Sequence, residues 1–122
     1  MIAKTFHLTL GDTDATGAIF FPRAFMLAVQ LFEEYLFERA GPGGRDWALP
    51  VVHAAADFVL PLRHGDLITL ELNFLEVKEK SCSYRATFSK GEKRCIELRI
   101  VHAATGGVMN SLYLLRTGHD TE

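Results

Sequence analysis

The hydrophobic positions of this chain change period twice. From Thr5 to Leu10 apolar and polar residues alternate, the period of a short strand with one face covered. Gly11-Asp12-Thr13-Asp14-Ala15-Thr16-Gly17 then breaks the pattern with a polar, glycine-bounded turn. Ala24 to Arg39 holds no Gly or Pro and places Phe25, Val29, Phe32, Tyr35 and Leu36 at helical spacing, with Leu27, Leu31 and Phe37 widening the stripe. Gln30, Glu33, Glu34 and Glu38 leave only a narrow polar face, so a largely enclosed helix is expected. Pro22 suits its first turn and Gly41-Pro42-Gly43-Gly44 stops it. Beyond Asp46-Trp47 the period returns to two. Leu49 to Leu60, Leu67 to Val77, Ser81 to Ser89, Arg94 to Ala103 and Val108 to Leu115 read as five strands parted by polar or glycine-rich turns. One strand, one long helix and then consecutive hairpins predict an α+β domain whose curved antiparallel sheet wraps around the helix.

Composition narrows this picture. A chain of 122 residues, 48% apolar and 23% charged, has the length of one domain and enough apolar material for a core, so residues 1–122 are read as a single unit rather than a disordered segment. Thirteen Lys and Arg against fifteen Asp and Glu leave a formal net charge of −2. That gives no global field for nucleic acid or an anionic membrane, so any anionic ligand must be gripped locally. No apolar run approaches the roughly 18 residues that span a bilayer, and Met1 to Leu10 does not read as a leader, so a cytoplasmic protein is expected. The short tail Thr117 to Glu122 carries no apolar pattern and predicts no further element. Cys82 and Cys95 fall on opposite parities of their strands and lack metal-ligand spacing; they are expected to be reduced packing residues, and no metal site is expected.

Chemistry concentrates in Gly11 to Pro22, where two carboxylates precede a helix entrance. A helix start presents unpaired backbone N–H groups and partial positive charge, which can stabilise a carbonyl oxygen as it becomes negative in acyl transfer. Pro22 has no N–H, so the donor must come from Phe21 or from later residues. An Asp facing such a donor could attack the carbonyl or activate a water. The residues alone leave open that Asp12 and Asp14 simply cap a turn.

The stretch Gly11-Asp12-Thr13-Asp14-Ala15-Thr16-Gly17-Ala18-Ile19-Phe20-Phe21-Pro22 resembles the active-site signature of hotdog-fold acyl-CoA thioesterases of the 4-hydroxybenzoyl-CoA thioesterase family. Leu49-Pro50-Val51-Val52-His53-Ala54-Ala55-Ala56-Asp57-Phe58 and Gly65-Asp66-Leu67 are most similar to its 1,4-dihydroxy-2-naphthoyl-CoA hydrolase branch. The likeness covers about residues 5 to 105. It implies a sheet wrapped around one helix, an acyl-CoA substrate, dimers or tetramers with active sites between subunits, and Asp14 as the catalytic carboxylate, nucleophile or base. It further implies that the backbone N–H of Phe21 polarises the thioester carbonyl. No metal or cofactor is needed, because thiolate leaves readily and coenzyme A belongs to the substrate.

Around that centre, Gly17 lets the loop approach the ligand or simply serves the turn. Phe20 lines an acyl pocket or packs in the core. His53 and Asp57 share a strand face; the resemblance gives His53 a role at the substrate, the residues alone leave it equally an interface histidine with a structural partner, and Asp57 reads as a strand carboxylate paired across a sheet or interface. Lys78 and Lys80 match a basic stretch that holds the nucleotide end of coenzyme A in the family, interrupted here by Glu79; Arg63, His64 and Lys90, Lys93, Arg94 are further cations. An aromatic acyl group, with 1,4-dihydroxy-2-naphthoyl as the sharpest expectation, would set the enzyme in menaquinone or phylloquinone biosynthesis. Two other classes compete. A non-catalytic acyl-CoA-binding protein would share the scaffold. A hydroxyacyl dehydratase would use His53, but Phe20-Phe21-Pro22 lacks the His that such enzymes carry there.

Overall fold

The computed structural model describes residues 2–40, 47–103 and 105–106. Strand β1 (Ile2–His7) leads through a short 3-10 turn (Leu10–Asp12) to helix α1 (Phe21–Ala40). After it come β2 (Trp47–Ala48), β3 (Val51–Phe58), β4 (Leu67–Val77), β5 (Ser81–Lys90), β6 (Lys93–Ala103) and β7 (Thr105–Gly106). Five strands make one antiparallel sheet in the order β1-β4-β5-β6-β3, and β2 pairs with β7 apart from it. The fifth strand expected at Val108 to Leu115 and the helix stop at Gly41 to Gly44 lie outside the described residues.

The sheet buries one face against the helix. Ile68, Leu70 and Leu72 of β4, Tyr84, Ala86 and Phe88 of β5, and Ile96, Leu98 and Ile100 of β6 are buried at every second position. The pairs Leu72↔Ala86 and Ala86↔Leu98 show that these positions share one face. From α1, Ala24, Ala28, Leu31, Phe32, Tyr35 and Leu36 fill the other side, and the two alanines let the helix approach the sheet closely. Phe32 is fully buried and stacks on both Tyr84 (4.9 Å between ring centres) and His102 (4.6 Å). The helix is less enclosed than expected: Phe37 and Met26 are about half exposed.

Two expectations need correction, and a third holds. The first strand ends at His7, and Leu8 turns into the core while Leu10 enters the 3-10 turn. The strands after the helix do not form consecutive hairpins throughout, because β3 pairs with β6 and β4 pairs with β1. The β3–β4 link crosses the molecule instead, held by Leu8 N–H to Asp66 O (2.9 Å), Gly65 N–H to Leu8 O (2.7 Å) and Ile19 N–H to Leu62 O (2.7 Å). Cys82 and Cys95 are free and buried, as expected of reduced packing residues, and Cys82 aligns with the even positions of β6 whereas Cys95 is odd. They are far apart along the β5–β6 hairpin, Cys82 opposite His102 and Cys95 beside the Phe88/Ser89 register shift.

Strand β3 is an edge. From Val51 to Leu60 every residue except Ala56 is exposed, including Val51, Val52, Phe58, Val59 and Leu60.

Candidate active site

The polar turn ahead of α1 folds as a small hairpin. Thr13 bridges Ile19, Asp14 N–H donates to Ala18 O (2.9 Å), Gly17 N–H to Asp14 O (3.0 Å), and Phe20 N–H to Asp12 O (2.9 Å). Gly17 takes φ +83°, a conformation that side chains with a Cβ resist, which is why glycine closes this turn. The hairpin hangs on its first carboxylate. Asp12 is 6% exposed; its Oδ2 accepts from Thr9 N–H (2.9 Å) and the Thr9 hydroxyl (2.8 Å), and its Oδ1 accepts from Arg23 Nε (2.7 Å). Burial raises the Asp12 carboxyl, but the Thr9 backbone N–H, the Arg23 guanidinium and the Thr9 hydroxyl outweigh it and hold the group below its ordinary value. Asp12 is therefore a strut between the 3-10 turn and the first turn of α1.

Asp14 has the opposite environment. It is exposed at the hairpin end, and its Oδ1 accepts from the hydroxyl and the backbone N–H (2.8 Å) of Thr16. The Thr16 hydroxyl, then the Thr16 amide, hold its carboxyl below the ordinary value against a small opposing effect of burial. Both of these bonds end on Oδ1.

Phe21 is the first residue of α1, where the N–H has no carbonyl one turn back. Pro22 supplies none, and Arg23 N–H already donates to Phe20 O (2.8 Å). Phe21 is thus the residue at this entrance with an amide hydrogen to offer. The rings of Phe20 and Phe21 stand half or more exposed, with centres 6.0 Å apart. A carboxylate and an orphan amide are brought to one hairpin, with apolar rings beside them and no cover from the other described residues.

The other candidates fall elsewhere. Asp57 pairs with Glu97 and His53 with Val101, positions on the face turned away from α1, so the shared parity of His53 and Asp57 holds. His53 is exposed and, among the described residues, makes no side-chain hydrogen bond to the hairpin. Lys78 gives its ammonium to Glu76 (3.0 Å), while Lys80 has no acidic partner among the described residues. Both lie at the far end of β4 from the Asp66–Leu8 contact, a strand of 11 residues. At about 3.3 Å per residue that separation is roughly 35 Å. Two residues were missed by sequence reasoning. Thr9 stands three positions before Asp12, a spacing that signals a helix-start contact. Arg23 gave no signal, because its partner lies eleven positions back. Among the described residues no group of His, Cys, Asp or Glu is arranged to hold a metal, and no helix is long and apolar enough to cross a membrane.

No family model matches the chain. It is 32% identical over 101 residues to the 1,4-dihydroxy-2-naphthoyl-CoA hydrolase of Acaryochloris marina, covering 76% of this chain and 74% of that protein. It is 30% identical over 120 residues to the protein of the same name from Prochlorococcus marinus strain MIT 9211, covering 88% and 79%. Among solved structures it resembles a 1,4-dihydroxy-2-naphthoyl-CoA thioesterase from Synechocystis, with TM-score 0.75, 21% identity and coverage of 87% and 82%. A gentisyl-coenzyme A thioesterase gives TM-score 0.76 at 23% identity, covering 85% and 88%. The last two establish the fold, a sheet around one long helix, and the first two establish kinship: the chain belongs to the 1,4-dihydroxy-2-naphthoyl-CoA hydrolase family of hotdog-fold acyl-CoA thioesterases.

Proposed function

We propose that this thioesterase hydrolyses an aromatic acyl-CoA, with 1,4-dihydroxy-2-naphthoyl-CoA as first choice, to the free acid and coenzyme A, using Asp14 and the Phe21 amide. The observation that carries the reading is the hairpin itself, which joins an ionised, exposed carboxylate to the entrance of α1 through the Asp14–Ala18 and Asp12–Phe20 bonds. The Phe21 N–H donates to the thioester carbonyl oxygen as negative charge builds there. Asp14 either attacks the carbonyl carbon or takes a proton from a water that does. The carbon–sulfur bond then breaks, the thiolate leaves and takes up a proton, and water supplies the acid's new oxygen. This chemistry asks for no cofactor. Phe20 and Gly17 lie beside the reacting group.

A site open to solvent needs a cover, and the exposed apolar edge β3 supports a second copy of the chain as that cover. Pairing across β3 brings a partner's residues toward the site, His53 among them, and lets Lys78 and Lys80 of one chain serve coenzyme A bound at the other. The reading is thus a cytoplasmic dimer or tetramer acting in menaquinone or phylloquinone biosynthesis, with one hotdog domain over residues 1–122.

Thiol release from a panel of acyl-CoAs tests the proposal. Wild type should release coenzyme A fastest from dihydroxynaphthoyl-CoA, and Asp14→Asn should lose about a hundredfold or more in kcat while still binding ligand. Ligand binding without thiol release by wild type would instead make this a binding protein on the same scaffold.

A further inference from the structure

Acyl-CoA carries several phosphate charges to a chain with a net charge of −2, so free cations near the site matter more than cations in general. Most described cations are already matched: Lys4 with Glu34, Arg23 with Asp12, Lys78 with Glu76, Arg85 and Arg94 with Glu97, and Lys90 with Asp66. Arg63 is exposed and, among the described residues, makes no close ion pair, although its charge helps to hold the Asp66 carboxyl below its ordinary value. It is also bound to the catalytic hairpin. Its backbone bridges Ala18, the neighbouring Leu62 carbonyl accepts from Ile19 N–H, and its Nη1 lies 3.7 Å from the place a Cβ on Gly17 would occupy. The carboxylates closest by sequence and contact are both engaged elsewhere: Asp66 accepts from Arg63's own backbone N–H (2.8 Å) and from Lys90 (3.4 Å), and Asp14 accepts from Thr16. A planar fork of donors is left against the turn that carries Asp14, without a hydrogen-bond acceptor among the described residues.

We propose that Arg63 is a substrate-anchoring residue of this site, its guanidinium taking an anionic oxygen of the bound acyl-CoA. Two sources carry that chemistry, a phosphate of the nucleotide end and an ionised ring hydroxyl of the acyl group. The assignment rests on the hairpin as the reaction centre. A Cβ at Gly17 would stand 3.7 Å from the guanidinium, an ordinary contact distance, so it is the positive φ rather than crowding by Arg63 that calls for glycine there.

Arg63→Gln keeps the side chain's length and removes its charge; Arg63→Lys keeps the charge and removes the fork. Steady-state kinetics with 1,4-dihydroxy-2-naphthoyl-CoA should show KM raised about tenfold or more in Arg63→Gln, kcat within about threefold, and a smaller rise in Arg63→Lys. The thermal midpoint should stay at the wild-type value. Loss of the KM effect on the matching pantetheine thioester, which has no nucleotide phosphates, assigns the contact to phosphate; loss on 2-naphthoyl-CoA assigns it to the ring hydroxyl. Equal KM for wild type and Arg63→Gln on all three substrates overturns the proposal. Absence of wild-type turnover would count against the reaction centre instead. In that case calorimetric binding of coenzyme A and of 1,4-dihydroxy-2-naphthoate decides on Arg63: weaker binding of either in Arg63→Gln upholds it, and equal binding of both refutes it.

Discussion

Arg23 reaches back eleven residues to Asp12, Nε to Oδ1 at 2.7 Å, and so ties the first turn of α1 to the base of the hairpin that carries Asp14. Two aspartates one residue apart are thereby separated in role. Asp12 holds the loop, and Asp14 is held out by it.

Asp12→Ala removes the acceptor of three hydrogen bonds and leaves the Thr9 and Arg23 donors without it. A loss of about 1–3 kcal/mol is expected, read as a lower urea midpoint with unchanged slope. Asp14→Asn, at an exposed position, should leave the midpoint where it is. If Asp14→Asn destabilised the chain and Asp12→Ala did not, the two roles would be reversed.

Hydrogen bonds from Thr16 stabilise the charged form of Asp14, so the carboxylate persists until pH falls through its lowered native value. The acid limb of kcat/KM should accordingly lie below about pH 4, with the rate independent of Asp14 ionisation above it. Thr16→Val removes the hydroxyl and should move that limb to higher pH. A limb that stays in place would show that Thr16 does not tune the carboxylate.

His102 is 2% exposed and makes two hydrogen bonds: Nδ1 pairs with Leu49 O (2.8 Å) and Nε2 with the Tyr84 hydroxyl (2.9 Å). A carbonyl can only accept, so Nδ1–H is the donor and Nε2 accepts from Tyr84, which makes the ring neutral. Burial lowers its affinity for a proton, only partly opposed by the Leu49 carbonyl. Below the unfolded value of about 6.5 the unfolded chain binds a proton that the native ring declines. Stability should therefore be full above about pH 6.5 and fall on acidification, reported by urea midpoints at pH 7.5 and 5.5. Tyr84→Phe should cost about 1–3 kcal/mol at pH 7.5 by leaving Nε2 without its donor.

Val52 stands 62% exposed at the register shift of edge strand β3. Val52→Lys should leave the circular dichroism spectrum intact while shifting the sedimentation coefficient from an oligomer to a single chain and reducing thiol release. An oligomer that survives this change would direct attention to another surface.

The helix and strands β3 to β6 were legible because period alone decides them: Phe32, Tyr35 and Leu36 face one way at helical spacing, and Ile68, Leu70 and Leu72 alternate. Which strands become neighbours was not legible. Hairpin logic pairs β3 with β4, yet the bonds from Leu8 and Ile19 to the β3–β4 link carry the chain past that solution, and such contacts leave no periodic trace. The same limit applies at the site. Asp14 and Phe21 could be named from a local motif, whereas Arg23 and the guanidinium of Arg63 acquire meaning only through partners that folding brings to them.

Pro22, immediately after Phe21, bears on which bonds this enzyme can break. With proline's nitrogen fully substituted and the next amide turned onto Phe20, the proposed oxyanion at Phe21 would find one hydrogen here rather than the pair that peptide-cleaving hydrolases commonly supply. Carboxamides and oxygen esters, with stronger conjugation and more basic departing groups, demand more than that. Weakly conjugated sulfur esters do not. Under the proposed role of Phe21, the cyclic residue would act as a selectivity filter written into the backbone, favouring thioesters over amides and oxygen esters at the reacting carbonyl.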